Sequence, residues 1–111
     1  MTIFEKIANH EIPATIVHED ADIVAFNDIN PQAPYHIVIA PRKAIESLDF
    51  VTDDDAELLG KMILVAVDLA RKLGISDTGY RLVFNCGRDA GQSVDHVHLH
   101  LLGGRMLGPL G

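Results

Sequence analysis

The chain reads as an α+β protein: a five-stranded antiparallel sheet with one long and one short helix. Three observations lead there. Short runs rich in Ile, Val and Phe, bounded by Gly, Pro, Asn or Asp, recur along the chain. One longer stretch, residues 58–73, carries its apolar residues at helical spacing. The order hairpin, strand, helix, strand, loop, strand favours antiparallel pairing with the main helix on one face.

The elements follow in order. Thr2 and Glu5 have capping-box spacing, so a short helix should run through Ile3, Phe4, Ile7 and Ala8 and end before Pro13. Residues 14–19 and 22–27 read as two strands joined at the acidic turn around Asp20, which makes a hairpin. Residues 28–34 hold Pro31 and Pro34 and must be a loop. A third strand, 35–40, stops at Pro41. Thr52 is placed to cap the long helix, and Asp53, Asp54 and Asp55 suit its positive end, as helix start and solvated surface. Leu58, Leu59, Met62, Ile63, Ala66, Leu69, Ala70 and Leu73 would form its buried face, with Gly74 closing it. Strands at 80–85 and 95–102 flank a polar loop, 86–93, and Gly103-Gly104 ends the last strand.

With 111 residues and 48 % apolar content, one domain spanning 1–111 is expected. A net charge of −7 opposes non-specific nucleic-acid binding but permits a small phosphorylated ligand. The single Cys86 cannot form an intrachain disulfide and reads as a small apolar packer. The N-terminal segment lacks the apolar core of a signal peptide, and the longest apolar run, 62–67, is too short to span a bilayer. These features predict a cytoplasmic protein with no nucleic-acid or membrane partner.

The most informative stretch is Asp95-His96-Val97-His98-Leu99-His100-Leu101. Alternation along a strand puts His96, His98 and His100 on one face and Val97, Leu99 and Leu101 on the other. The apolar face belongs on the core, leaving the histidine face open to solvent or to a ligand. Two chemistries use such a row. Zinc accepts imidazole nitrogen, but the outer pair is separated by about 13 Å of strand, so a further ligand such as His36 would be required. Phosphate chemistry fits better: one imidazole attacks phosphorus while its neighbours donate to phosphate oxygens and to the leaving group. The loop ahead, with Gly87, Gly91 and Ser93, has the backbone freedom and the hydroxyl that suit an anion.

His96-Val97-His98-Leu99-His100-Leu101-Leu102 resembles the signature of the histidine triad superfamily. Further segments, Thr2 to Ile7, Glu11 to Ala14, Asp28 to Pro34, His36, Gly91-Gln92-Ser93 and Leu102 to Arg105, resemble its nucleotide-binding branch in order and spacing. The resemblance covers nearly the whole chain. It implies hydrolysis of purine nucleoside phosphoramidates and acyl-adenylates to AMP or GMP, without a metal or other cofactor. It also implies a homodimer whose two sheets join. By position, His98 would be the nucleophile, His100 and Ser93 would face the phosphate and leaving group, and His96 and His36 would orient the nucleophile. Asp28 would hold the ribose hydroxyls, with Ile29 beside the base. Phe4, Ile7, Ile12 and Phe26 would form the purine slot, and Asn85, Gly91 and Gln92 would complete the phosphate cradle. Read without the resemblance, Phe4, Ile7 and Phe26 are ordinary core residues and His36 a buried structural histidine. Two rivals from other classes are a nucleotide-binding protein without turnover and a zinc protein.

Overall fold

The computed structural model describes residues 1–111. Its elements are α1 (Ile3–Ala8), β1 (Ile16–Glu19), β2 (Ile23–Asn27), β3 (Tyr35–Pro41), α2 (Ala56–Lys72), β4 (Tyr80–Phe84) and β5 (Leu99–Gly103). Short 3-10 turns occupy Leu48–Phe50, Asp53–Asp55 and Arg88–Ala90. The five strands form one antiparallel sheet in the order β1-β2-β3-β5-β4, matching the predicted fold class.

Both faces of the sheet are covered. On one, Met62, Val65, Ala66, Leu69 and Ala70 of α2 pack on Ile37, Ile39, Leu99 and Leu101. Ile39, Met62, Leu99 and Leu101 are among the largest fully buried side chains, each contributing roughly 1.5–3 kcal/mol by leaving water. On the other, Phe4, Ile7 and Ala8 of α1 pack on Val24, Phe26, Val38 and Ala40. The short helix would be marginal alone. Its capping box forms, with Glu5 N–H donating to Thr2 Oγ1 at 3.2 Å and Thr2 N–H donating to Glu5 Oε1 at 2.8 Å.

Several sequence expectations are corrected. The last strand begins at Leu99, not at 95, because the amides of His96 and Val97 bond to Val94 O and Ile45 O instead of to a neighbouring strand. On α2 the buried stripe takes Val65, while Ile63 points outward beside the more exposed Leu64. Asp55 is not solvated surface: it is buried, accepting from Lys43 Nζ at 2.8 Å and from Thr52 N–H at 3.0 Å. Cys86 is exposed rather than packed. Gly74 takes the left-handed conformation (φ 76°) that ends α2. No helix is long and apolar enough to cross a membrane.

Candidate active site

The three aligned imidazoles do share one face, but that face is not open along its length. Helix α1 covers it. The Phe4 ring lies 5.5 Å from His96 and 4.8 Å from His98, centroid to centroid, and both histidines are buried. His98 stacks edge-on to His100 at 4.9 Å, and His100 is half-buried. His100 is fixed by the sheet, paired between Val38 of β3 and Val83 of β4. His36, one of the buried residues of β3, sits against it.

Hydrogen bonds to backbone groups set the tautomers of His96, His98 and His36, and through His36 that of His100, because a carbonyl only accepts and an amide N–H only donates. His96 Nε2 lies 2.7 Å from Pro41 O, so it carries the proton, and Nδ1 accepts from the Thr2 hydroxyl at 2.7 Å. His98 Nδ1 lies 2.7 Å from His96 O and is likewise the donor. The unshared pair of His98 is therefore on Nε2. No fully buried side-chain nitrogen or oxygen lacks a partner, so this unbonded Nε2 reaches the open side of the ring. His36 Nδ1 accepts from Gln32 N–H at 3.0 Å, which places its proton on Nε2. That proton is donated to His100 Nδ1 at 2.8 Å, leaving the His100 proton on its own Nε2. The face thus presents one nucleophilic nitrogen and one N–H donor side by side.

Electrostatics keep the set neutral. Burial lowers the pKa of His36, His96 and His98 below the ordinary 6.5, opposed for His36 by the Asp28 carboxylate. His100 is lowered to about 4, by burial first and then by the neighbouring His98 and His36. Neutral imidazole is the nucleophilic form.

His98 and His100 form one wall of a cleft of ≈ 400 Å³. Phe4, Ile7, Ile12 and Phe26 form its apolar side, and Asp28, Ile29 and Ser93 its rim. Phe4, Ile7 and Phe26 serve both readings at once, since they also belong to the core beneath α1. Asp28 is braced by Asn30 N–H, which donates to Oδ1 at 2.9 Å, while its Oδ2 stands 3.5 Å from His36 Nε2. His96 and His36 lie behind the cleft wall. His96 reaches the His98 ring through its carbonyl, and His36 holds His100 rather than His98. Asn85, Gly91 and Gln92 do not line the cleft. Asn85 Nδ2 donates to Ala90 O, the Gly91 and Gln92 amides donate to Arg88 O and Gly87 O, and Gln92 Nε2 donates to Glu46 O and Val94 O. These groups are spent on the shape of the loop that carries Ser93.

Asp28, His36 and His100 each offer one metal-ligating atom, all within 4.8 Å of one another. The His36–His100 contact is already a hydrogen bond, so an ion there would have to displace the shared proton. Val38 and Val94 also line the cleft, and Thr2 and Gln32 brace the histidines behind it; sequence reasoning gave none of the four a site role. Thr2 reads from sequence only as a cap, because its second partner lies 94 residues away.

A sheet of this order with residues 96, 98 and 100 turned onto one face defines a histidine triad protein, and the chain belongs to that family, HIT. Residues 1–109 match the family model described as "Scavenger mRNA decapping enzyme C-term binding". The chain is 50 % identical over 109 residues to the purine nucleoside phosphoramidase of Escherichia coli K12, covering 98 % of this chain and 92 % of that one. Among solved structures, a HIT family hydrolase from Legionella pneumophila superposes with a TM-score of 0.95 at 53 % identity, covering 97 % of this chain and 96 % of that one. A histidine triad protein from Clostridium difficile superposes with a TM-score of 0.94 at 44 % identity, covering 98 % and 95 %.

Proposed function

We propose that the protein hydrolyses purine nucleoside 5′-phosphoramidates, and acyl-adenylates, to the nucleoside monophosphate through a covalent nucleotidyl-histidine. The observation that carries this reading is the His98 ring, whose Nδ1 proton is held by His96 O while Nε2 keeps its unshared pair. The activity named for the Escherichia coli relative supports the substrate class.

In the first step His98 Nε2 attacks the α-phosphorus and the phosphorus–nitrogen bond breaks. The amine leaves with a proton taken up from solvent. In the second step water attacks the phosphorus, the His98–phosphorus bond breaks, and one proton returns to solvent as AMP or GMP departs. The phosphorylated ring is cationic, and the short bond from Nδ1 to His96 O stabilises it. His100 Nε2–H and Ser93 donate to the phosphoryl oxygens and the leaving group, where preorganised donors lower the barrier most. His96 orients the nucleophile through its carbonyl, and His36 orients His100. Asp28 holds the ribose hydroxyls, Ile29 flanks the base, and Phe4, Ile7, Ile12 and Phe26 hold its apolar faces. Asn85, Gly91 and Gln92 shape the loop behind Ser93. No step calls for a metal.

The protein acts in this reading as a single domain, 1–111, in the cytoplasm, where the exposed Cys86 stays reduced. Two copies join through β4. That strand pairs only with β5, so its outer edge is free, and Ile63 and Leu64 of α2 add exposed apolar surface. AMP release from adenosine 5′-phosphoramidate in EDTA tests the chemistry. Wild type is expected to turn over, and His98→Ala to fall to background while still binding AMP. Turnover abolished by EDTA and restored by zinc would overturn the reading.

A further inference from the structure

We propose that Arg105 is a positioning residue for the reaction proposed above: by clamping the 28–34 loop it fixes the tautomer of His36 and, through it, the proton of His100. The path is continuous. Arg105 Nη2 donates to Gln32 O at 2.8 Å. The amide of the same Gln32 donates to His36 Nδ1 at 3.0 Å. His36 Nε2–H then donates to His100 Nδ1 at 2.8 Å. Each link shares a residue with the next. If the Gln32 amide turned away, His36 could move its proton to Nδ1 and present an unshared pair to His100. His100 would then turn its own proton inward and face the cleft with an acceptor.

The approach of the chain end to this loop is itself built in. Gly104 has φ 98°, and a Cβ there would meet Pro34 Cβ at 2.8 Å and Tyr35 Cδ2 at 3.0 Å. Only glycine lets the segment after β5 pass this close to the loop, which brings the Arg105 fork within reach of Gln32 O. Arg105 is exposed and has no carboxylate among its bonded groups; its other hydrogen bond is to Met106 O at 2.9 Å. A guanidinium spent on two backbone carbonyls organises chain path rather than charge. Gln32 Nε2 donates to Asn30 O, and Asn30 N–H donates to Asp28 Oδ1, so the same clamp reaches the Asp28 carboxylate.

The test is Arg105→Ala beside Arg105→Lys, which keeps one donor for Gln32 O. Imidazole ¹⁵N spectra of wild type should show His36 and His100 each with the proton on Nε2 alone, and Arg105→Ala a mixture of tautomers. With adenosine 5′-phosphoramidate, kcat should fall on the order of tenfold in Arg105→Ala, within the ~100-fold that an ångström of misplacement can cost. KM should change less than kcat, because Arg105 itself touches no nucleotide group and reaches Asp28 only through Gln32 and Asn30, and Arg105→Lys should recover most of the rate. Unchanged tautomers in Arg105→Ala would overturn the proposal, whether or not the melting temperature or the rate had dropped. A wild type without phosphoramidate turnover would sink the proposed reaction instead, and the spectra would still decide the role of Arg105.

Discussion

Thr2 shows how much one hydroxyl can carry here. Its oxygen accepts from Glu5 N–H as the cap of α1 and donates to His96 Nδ1 at 2.7 Å. His96 is fully buried, so an unpaired Nδ1 would have no water to turn to. Thr2→Val keeps the shape and removes both functions. Losing the cap costs about 1 kcal/mol, and stranding the buried acceptor about 1–3 kcal/mol. Urea unfolding should show a lower midpoint with an unchanged slope, for a total loss of about 2–4 kcal/mol if the two add. Thr2→Ser, which retains the hydroxyl, should lose far less. A large loss in Thr2→Ser with little in Thr2→Val would mean that packing of the γ-methyl, and not the hydroxyl, is what matters at this position.

At the scale of elements, what could be read in advance was whatever depends on near neighbours. The α1 cap spans four residues, the α2 stripe recurs every three or four, and the alternation of Val97, Leu99 and Leu101 with the histidines spans six. What could not be read were choices made by distant chain. Nothing local to residues 95–98 announces that Val97 N–H goes to Ile45 O and ends the ladder, nor that α1 is the layer over His96. Gln92 has the right chemistry for a phosphate, but the carbonyl of Glu46, 46 residues away, accepts from its Nε2. Edge strands are another such choice, and the two edges differ. β1 is four residues long with a register break between Ile16 and His18, a shape that discourages further pairing. β4 pairs in unbroken register with β5 over all five residues, and its side chains are half-buried. This is the edge where a second copy would add its strand. Leu64, 68 % exposed on α2, should then be covered in the assembly. Sedimentation should give a dimer of the 12.1 kDa chain for wild type and a monomer for Leu64→Glu. A monomeric wild type at micromolar concentration would remove the proposed interface.

For the molecule as a whole, acidity is the variable to which this site is most exposed. Four histidines are held below their ordinary pKa, so the folded state resists protons that the unfolded chain accepts freely. A depressed imidazole pKa contributes no penalty while both states are neutral, well above 6.5. As pH falls through 6.5 the unfolded state begins to bind protons, and stability drops. The decline continues until the folded state also titrates, which for His100 is about 4. A second group of sites acts lower. Burial works against the Asp20 carboxylate, but amides of Asp22 and Ile23 together with His18 and Lys61 hold its pKa well below the ordinary 3.8, and Lys43 and Thr52 lower Asp55. Their contribution is present above 3.8 and is lost as pH falls further. The urea midpoint should therefore be level from pH 8 to 7, fall between 6.5 and about 4 as the imidazoles charge in the unfolded chain, and fall again below 3.8. AMP should flatten the first decline if its phosphate sits against His98 and His100, because a bound anion favours the protonated rings in the folded state. A midpoint that stayed level down to pH 4.5 would mean that the imidazole cluster takes up protons in the fold as readily as in the open chain. In that case the neutral nucleophile would have to be sustained by something other than burial beneath α1.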